Sequence, residues 1–325
     1  MNFKELINDI QEFPGVSRKK AILDVTNSLK DVYNLTGNVI VPFGDDSSVI
    51  DVGDENQILI AADGIWGLLI DADPYWAGYC SILVNVNDIA AMGGKPIAMV
   101  NILSMKDDKI GNDLLKGIID GCKKFNVPMV GGHLHPDADY NSLDVSIVGI
   151  AKKNHILTSS GANIGDKILV AIDLDGRQHP KFKLNWDTTY HKDAKLVQDQ
   201  IEVMREIAEL DLVTACKDIS NPGVLGTLEM LLEASAIGGK VSLENMPKHP
   251  DVNWNDWLKL YPGAGFVLTA KEENTDKIIE LLEKYSINTS VVGEIIEDKK
   301  LFVSYNGEEE ILFDQNINPV IGTFD

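Results

Sequence analysis

The chain has 325 residues, 44% of them hydrophobic and 24% charged, and a formal net charge of −21. So acidic a balance argues against nucleic acid or an anionic membrane surface as the main partner, and no apolar run is long enough to span a bilayer. Its three cysteines, Cys80, Cys122 and Cys216, are scattered and form no CxxC pair, which excludes a disulfide frame or zinc site and points to a reduced, cytoplasmic protein.

The N-terminal stretch MNFKELINDIQEF is amphipathic and acidic, unlike a signal peptide. Residues 1–35 read as two short helices, with Leu6, Ile7, Ile10 and Phe13 on one face and Ile22, Val25 and Leu29 on another. Val49, Ile50 and Val52, then Ile58, Leu59 and Ile60, read as paired strands around a Gly-Asp-Glu-Asn turn. A long apolar helix opens at Asp73-Pro74, a capping residue followed by Pro at the first helical position, and stops at Gly93-Gly94 with Pro96 beyond. PIAMVNILSM follows as a strand, 111–125 as a helix with Leu114, Leu115, Ile118, Cys122 and Phe125 at helical spacing, and VPMVGGHLHPD as a short strand entering a glycine turn. LDVSIVGIAKK is another strand.

The polar, Gly-containing stretch 152–166 marks a boundary, giving domains 1–153 and 154–325. The second half opens with strand KILVAID, then a polar loop and a helix over about 192–210. A further helix is signalled by Asn221 as cap, Pro222 at its first position and Gly238-Gly239 at its end. GAGFVLTA reads as a strand, TDKIIELLEKY as a helix, and INTSVVGEI and KLFVSYN as strands. Strands and helices mix in both halves without a strict βαβ run, so the expected class is α+β layers.

Five aspartates stand at strand or helix ends: Asp45 and Asp46 in GDDSS, Asp63 after ILIAA, Asp88 in the last turns of the long helix, and Asp218 in KDIS. Asp88, beside Asn87, faces the negative end of its helix dipole, a placement costing about 0.3–1 kcal/mol unless a cation is present. Hard oxygen ligands offered one or two at a time suit Mg²⁺, with phosphate and water completing the shell. Several such aspartates can hold Mg²⁺ against a nucleotide's phosphates. Taken singly, Asp45, Asp46 and Asp63 also read as ordinary turn residues, Asp218 as a helix-start residue and Asp88 as the partner of a lysine.

Only three arginines occur, Arg18, Arg177 and Arg205, so phosphate binding must lean on metal, lysine or backbone N–H groups. Val130-Gly131-Gly132-His133 ends a strand with two glycines that permit close backbone approach, and also reads as a plain turn. Gly93-Gly94-Lys95 is not a P-loop, because Ile89 and Pro96 stand where Gly and Ser/Thr are required. His133 and His135 alternate, which fits two metal ligands on one strand face or two polar loop residues. They and Lys217 are the candidates for acid–base work. The loop holding Arg177, His179, Lys181 and Asp187 concentrates scarce positive charge; it reads as a lid over an anionic or phosphorylated acceptor, or as an ordinary mobile loop.

Taken in order, GDDSSVI, AADG, DPYWAGYCSILVNVNDIAAMGGKP, VGGH and KDISNPGVLGTLEMLLEAS resemble the aminoimidazole ribonucleotide (AIR) synthetase superfamily over most of the chain. That resemblance implies an N-terminal domain whose strands pair across a homodimer into a barrel, and a C-terminal ferredoxin-like α+β domain. It implies ATP in a long cleft, its phosphates held through Mg²⁺ on Asp45 or Asp46, Asp63, Asp88 and Asp218, with Asn87, Gly131, Gly132 and His133 beside them. The implied chemistry is ATP-driven phosphorylation of an oxygen or selenide. Among the branches, the chain looks most like the selenophosphate-synthetase-related one called methanogenesis marker protein 2. Thiamine-monophosphate kinases carry Gly-Gly-Asp where this chain has Gly132-His133, and selenophosphate synthetases need an N-terminal reactive cysteine it lacks. Enzymes like either, or a non-catalytic ATP-binding partner protein, are the alternatives.

Overall fold

A computed structural model describes residues 2–263 and 265–322. The first half holds α1 (Phe3–Gln11), α2 (Pro14–Ser17), α3 (Ala21–Leu29), β1 (Val39–Val41), β2 (Ser48–Ile50), β3 (Asn56–Gly64), α4 (Gly67–Ala72), α5 (Pro74–Ala91), β4 (Lys95–Ser104), α6 (Asp108–Phe125), β5 (Met129–His135) and β6 (Ser142–Lys152). The second holds β7 (Lys167–Ile172), β8 (Arg177–Gln178), β9 (Trp186–Asp187), α7 (Ala194–Glu209), β10 (Ala215–Asp218), α8 (Gly223–Ser235), β11 (Gly238–Ser242), α9 (Trp254–Trp257), β12 (Gly265–Ala270), α10 (Thr275–Glu283), β13 (Asn288–Ile296), β14 (Lys300–Tyr305) and β15 (Glu308–Asp314). The expected α+β layering is what forms. Among the described residues no helix is long and apolar enough to cross a membrane.

The first sheet runs β1-β2-β3-β6-β4-β5. Its strands alternate, so Leu59, Met99, Leu143, Val145 and Ile147 are buried in one core with α5 residues such as Ile82 and Ile89. The opposite face is open and unusually apolar, exposing Ile60, Val100, Ile102 and Val148. The second sheet runs β10-β12-β7-β13-β11-β14-β15 and is covered on both sides. Leu169 and Ala171 of β7 join the core that contains α5, α7 and α10; Ile168, Val170 and Ile172 join a second core with α8 and the N-terminal Phe3, Leu6 and Ile10. Residues 3–16 therefore pack with the second sheet.

Helix α5 is buried nearly all round, as a helix without a polar face must be. Asp73 caps it, accepting from the Trp76 N–H at 3.4 Å. Two glycines let α6 lie close: a Cβ on Gly78 would stand 2.1 Å from the Leu114 carbonyl oxygen, and one on Gly117 1.9 Å from that of Tyr75.

Several boundaries differ from the sequence expectation. Gly131 and Gly132 do not turn the chain; they lie inside β5, whose parallel pairing to β4 runs through them. Gly132 has φ +155°, and a Cβ there would fall 2.0 Å from Asn101 Oδ1. Asn221 does not cap α8, whose first residue is Gly223, and its Oδ1 is left without a partner. Gly238-Gly239 begin β11 instead of ending α8, which stops at Ala236 in the left-handed conformation (φ 55°). Strands β10, β11 and β15 were not expected. The apolar face of α3 is only partly used, since Val25 and Leu29 are exposed. Ala264, in the expected strand 263–270, lies outside the described residues.

Candidate functional site

The seam between α5 and the two sheets holds a cavity of about 280 Å³, and it gathers the five aspartates. Helix α5 presents Cys80, Val84 and Asp88 to it at one-turn spacing. Asp63 arrives from the end of β3, Asp45 and Asp46 from the loop before β2, and Lys217 with Asp218 from the end of β10. Carboxylate oxygens of Asp46, Asp88 and Asp218 lie within 4.8 Å of one another, a spacing at which one cation can bridge them.

The electrostatics follow from this crowding. Burial, then Asp63, Asp218 and Asp46, push the Asp88 carboxyl well above the usual range. Burial and Asp46 do the same to Asp218, against the pull of Lys217. Burial raises Asp63, with Lys19 opposing. Asp45 is pushed up to about 6, mainly by burial, although its carboxylate accepts from the backbone N–H of Ser159 at 2.8 Å and of Asp46 at 3.0 Å. Lys217 is 3% exposed and ion-paired to Asp46, whose other oxygen accepts from the Asp218 N–H at 3.3 Å. Burial works against the Lys217 charge, but Asp46, Asp45 and Asp218 outweigh it and hold the ammonium above its ordinary pKa.

Residues not anticipated from sequence complete the lining. Arg18 and Lys19 follow α2 into the cavity mouth; Arg18 lies over the Trp66 ring at 5.1 Å, and burial followed by Lys217 lowers Lys19. The run Arg18-Lys19-Lys20, in a chain so acidic, was the available signal. Ser220 Oγ and Asn221 Oδ1 are buried without hydrogen-bond partners, and both residues line the cavity. Orphaned oxygens beside a carboxylate cluster fit a cation and its ligand shell.

Other candidates stand elsewhere. Asn87 is buried and donates to the Gly263 carbonyl at 2.9 Å, tying α5 to the loop before β12. Gly131, Gly132, His133 and His135 lie on β5, the edge of the first sheet, and none lines this cavity. His133 pairs across from Ile102, on the open face, with its ring 4.6 Å from that of His135. Arg177, His179 and Asp187 surround a separate cavity, and Lys181 pairs with Asp73 at 3.1 Å.

The sequence matches the family described as AIR synthase related protein, its N-terminal domain over residues 44–151 and its C-terminal domain over 156–306. An uncharacterised protein of Methanocaldococcus jannaschii is 52% identical over 97% of both chains. The phosphoribosylformylglycinamidine synthase subunit PurL of that organism is 26% identical over 83% of this chain, but only 40% of the relative is covered. Two solved structures share the fold: Thermotoga maritima PurL complexed with AMPPCP (TM-score 0.75, 20% identity, 97% of this chain and 52% of that one) and AaThiL complexed with AMPPCP and TMP (TM-score 0.63, 19% identity, 88% and 96%). The chain thus spans about half the length of the PurL proteins it matches.

Proposed function

This chain belongs to the AIR synthase related family, and from that premise we propose that it is an ATP-dependent phosphotransferase or synthetase. The observation that carries this reading is the meeting of Asp46, Asp88 and Asp218, from three separate elements, within 4.8 Å. So dense a set of buried carboxylates is costly unless a cation joins it. Asp46, Asp88 and Asp218 would hold Mg²⁺, with Asp63 and Asp45 beside them. The bound ion supplies charge neutralisation for the triphosphate. Lys217 fixes the Asp46 carboxylate, and Lys19 offers an ammonium at the cavity mouth for a phosphate oxygen. The family resemblances to proteins solved with an ATP analogue, AMPPCP, support the choice of nucleotide.

The narrower likeness to the selenophosphate-synthetase-related branch rests on the Ala91-Met92-Gly93-Gly94 and Gly131-Gly132-His133 pieces. A homodimer across the open face of the first sheet belongs to the same reading; its support is the exposed Ile60, Val100, Ile102 and Val148. Such a dimer would bury β5 with Gly131, Gly132 and His133.

The test is a thermal-shift titration with ATP, with and without Mg²⁺. A ligand at 100 times its Kd adds about 2.7 kcal/mol of stability. The expected result is a rise that needs Mg²⁺ and that Asp88→Asn abolishes. No shift with ATP, ADP or GTP would sink the nucleotide reading, and binding without turnover in the presence of candidate acceptors would favour a binding protein.

A further inference from the structure

A second cavity, of about 480 Å³, opens where the N-terminal end of α5 meets α6 and the loop around β8 and β9. Its size falls in the range of small-molecule sites. Trp76 and Asp88 are twelve residues apart on α5, about 18 Å along the helix axis, so this cavity and the carboxylate cleft lie toward opposite ends of one helix.

The cavity is walled by rings. Tyr79, Trp76 and His179 form a stack, with Trp76 centroids 5.2 Å from Tyr79 and 4.8 Å from His179, and planes within 13° and 6° of parallel. Tyr75 and Tyr190 line the mouth with 40% and 48% of their surface exposed. Arg177 lies over the Tyr190 ring at 3.9 Å.

The polar groups are unevenly satisfied. Both lining carboxylates already have partners: Asp120 accepts from the Tyr75 hydroxyl at 2.9 Å, and Asp187 from the Thr189 N–H at 3.1 Å and from Arg177 at 3.4 Å. The donors do not. Arg177 uses one of its five N–H groups on Asp187, and Lys123 has no hydrogen bond or ion pair among the described residues. His179 is 6% exposed, and its Nδ1 is buried without a hydrogen-bond partner. Aromatic walls with surplus donors match a flat ligand that brings its own negative charge.

We propose that this cavity is a second binding site, distinct from the carboxylate cleft, for a small anion carried on a planar ring: an aromatic or heterocyclic phosphate or carboxylate. The ring packs against the exposed Tyr75 and Tyr190 at the mouth, backed by the buried Trp76 stack, and Arg177 and Lys123 hold the anionic group. Asn185 links the two sites. It lines the cleft, and its Oδ1 accepts from the Trp76 indole N–H at 2.9 Å. The proposal stands independently of the nucleotide reading.

Calorimetric titration of the full chain with phenyl phosphate, benzoate, inorganic phosphate and phenol tests it. At least one ring-bearing anion is expected to bind about tenfold or more tighter than inorganic phosphate or phenol, because only it engages both wall and donors. Lys123→Ala and Arg177→Gln are each expected to weaken it about tenfold. Lys123 is exposed, so its variant reports binding even if Arg177→Gln disturbs the buried Asp187. Saturation with Mg²⁺ and ATP should leave this binding in place. Equal affinity for all four probes, indifference to both substitutions, or displacement of the ring-bearing anion by ATP would each overturn the proposal. An absence of ATP binding would count against the proposed function alone.

Discussion

Replacing Asp88 by Asn is expected to make the metal-free protein more stable. Two unit charges 4.8 Å apart, the spacing within the Asp46, Asp88 and Asp218 group, repel by about 3.5 kcal/mol at an effective dielectric of about 20. Lys217 offsets part of this, chiefly at Asp46, its ion-pair partner. A net gain of about 2–3 kcal/mol at pH 7.5 follows, or about 3–4 °C in Tm for a chain of this size. The pH dependence has a definite sign. Asp88 is raised by burial and by Asp63, Asp218 and Asp46, Asp218 by burial, Asp46 and Asp63, and Asp45 is pushed up to about 6. A carboxyl whose folded pKa lies above its unfolded value contributes no penalty below the unfolded pKa, about 3.9, and a growing one as pH rises from there through the folded pKa. The gap between variant and wild type should therefore be small near pH 4 and open toward neutrality. Mg²⁺ should reverse the order, raising the Tm of the wild type and leaving Asp88→Asn unmoved. Thermal melts by circular dichroism from pH 4 to 8, with and without MgCl₂, read all of this. An Asp88→Asn protein less stable than wild type at pH 7.5 without metal would refute the electrostatic reasoning, and an undiminished response to Mg²⁺ would refute the ligand assignment.

Three other predictions follow from the same geometry. Lys217→Met removes the cation buried against Asp46 and is expected to cost about 3–5 kcal/mol in urea unfolding, because a buried carboxylate is left uncompensated; unchanged stability would show that Asp46 is held by other groups. Gly117→Ala drives a methyl to 1.9 Å from the Tyr75 carbonyl oxygen and 2.7 Å from the Tyr79 nitrogen, so α5 and α6 must separate, at about 1–3 kcal/mol by the same assay. A wild-type midpoint retained by that variant would mean the helices have slack the close contacts deny. Ile102→Glu places a charge on the open face of the first sheet and is expected to yield monomers in sedimentation velocity where wild type is dimeric; a monomeric wild type would remove the dimer from the proposal.

Much of the fold was legible because its signals are local. The start of α5 is written in Asp73-Pro74, and the alternation of LDVSIVGIAKK reappears as the inward Leu143, Val145 and Ile147 of β6. The strands that escaped notice lack such signals within their own residues. β10 is the short polar ACKD, β11 begins with two glycines, and β15 opens with three glutamates. β10 and β11 become strands only because distant neighbours, β12 and β14, supply their ladders, whereas β15 folds back on β14 through the tight Asn306-Gly307 turn, a local signal the reading passed over. Gly131-Gly132 looked like a turn for the same reason, since only the parallel partner β4 keeps them extended.

The sequence by itself determined the family and the layered α+β class, and pointed to the chemistry proposed: an acidic chain with few arginines whose aspartates sit at element ends, where side chains are free to converge. It also marked Asp88, at the negative end of an apolar helix, as a carboxylate that a cation would stabilise. Only the tertiary structure decided which carboxylates meet. Asp46, Asp88 and Asp218 lie far apart in the chain, and their approach depends on packing α5 between two sheets, a long-range arrangement that no local period encodes. The same packing brought Lys19 to the cleft, left the histidines of β5 on an open sheet face, and turned the Arg177 loop toward a cavity at the other end of α5.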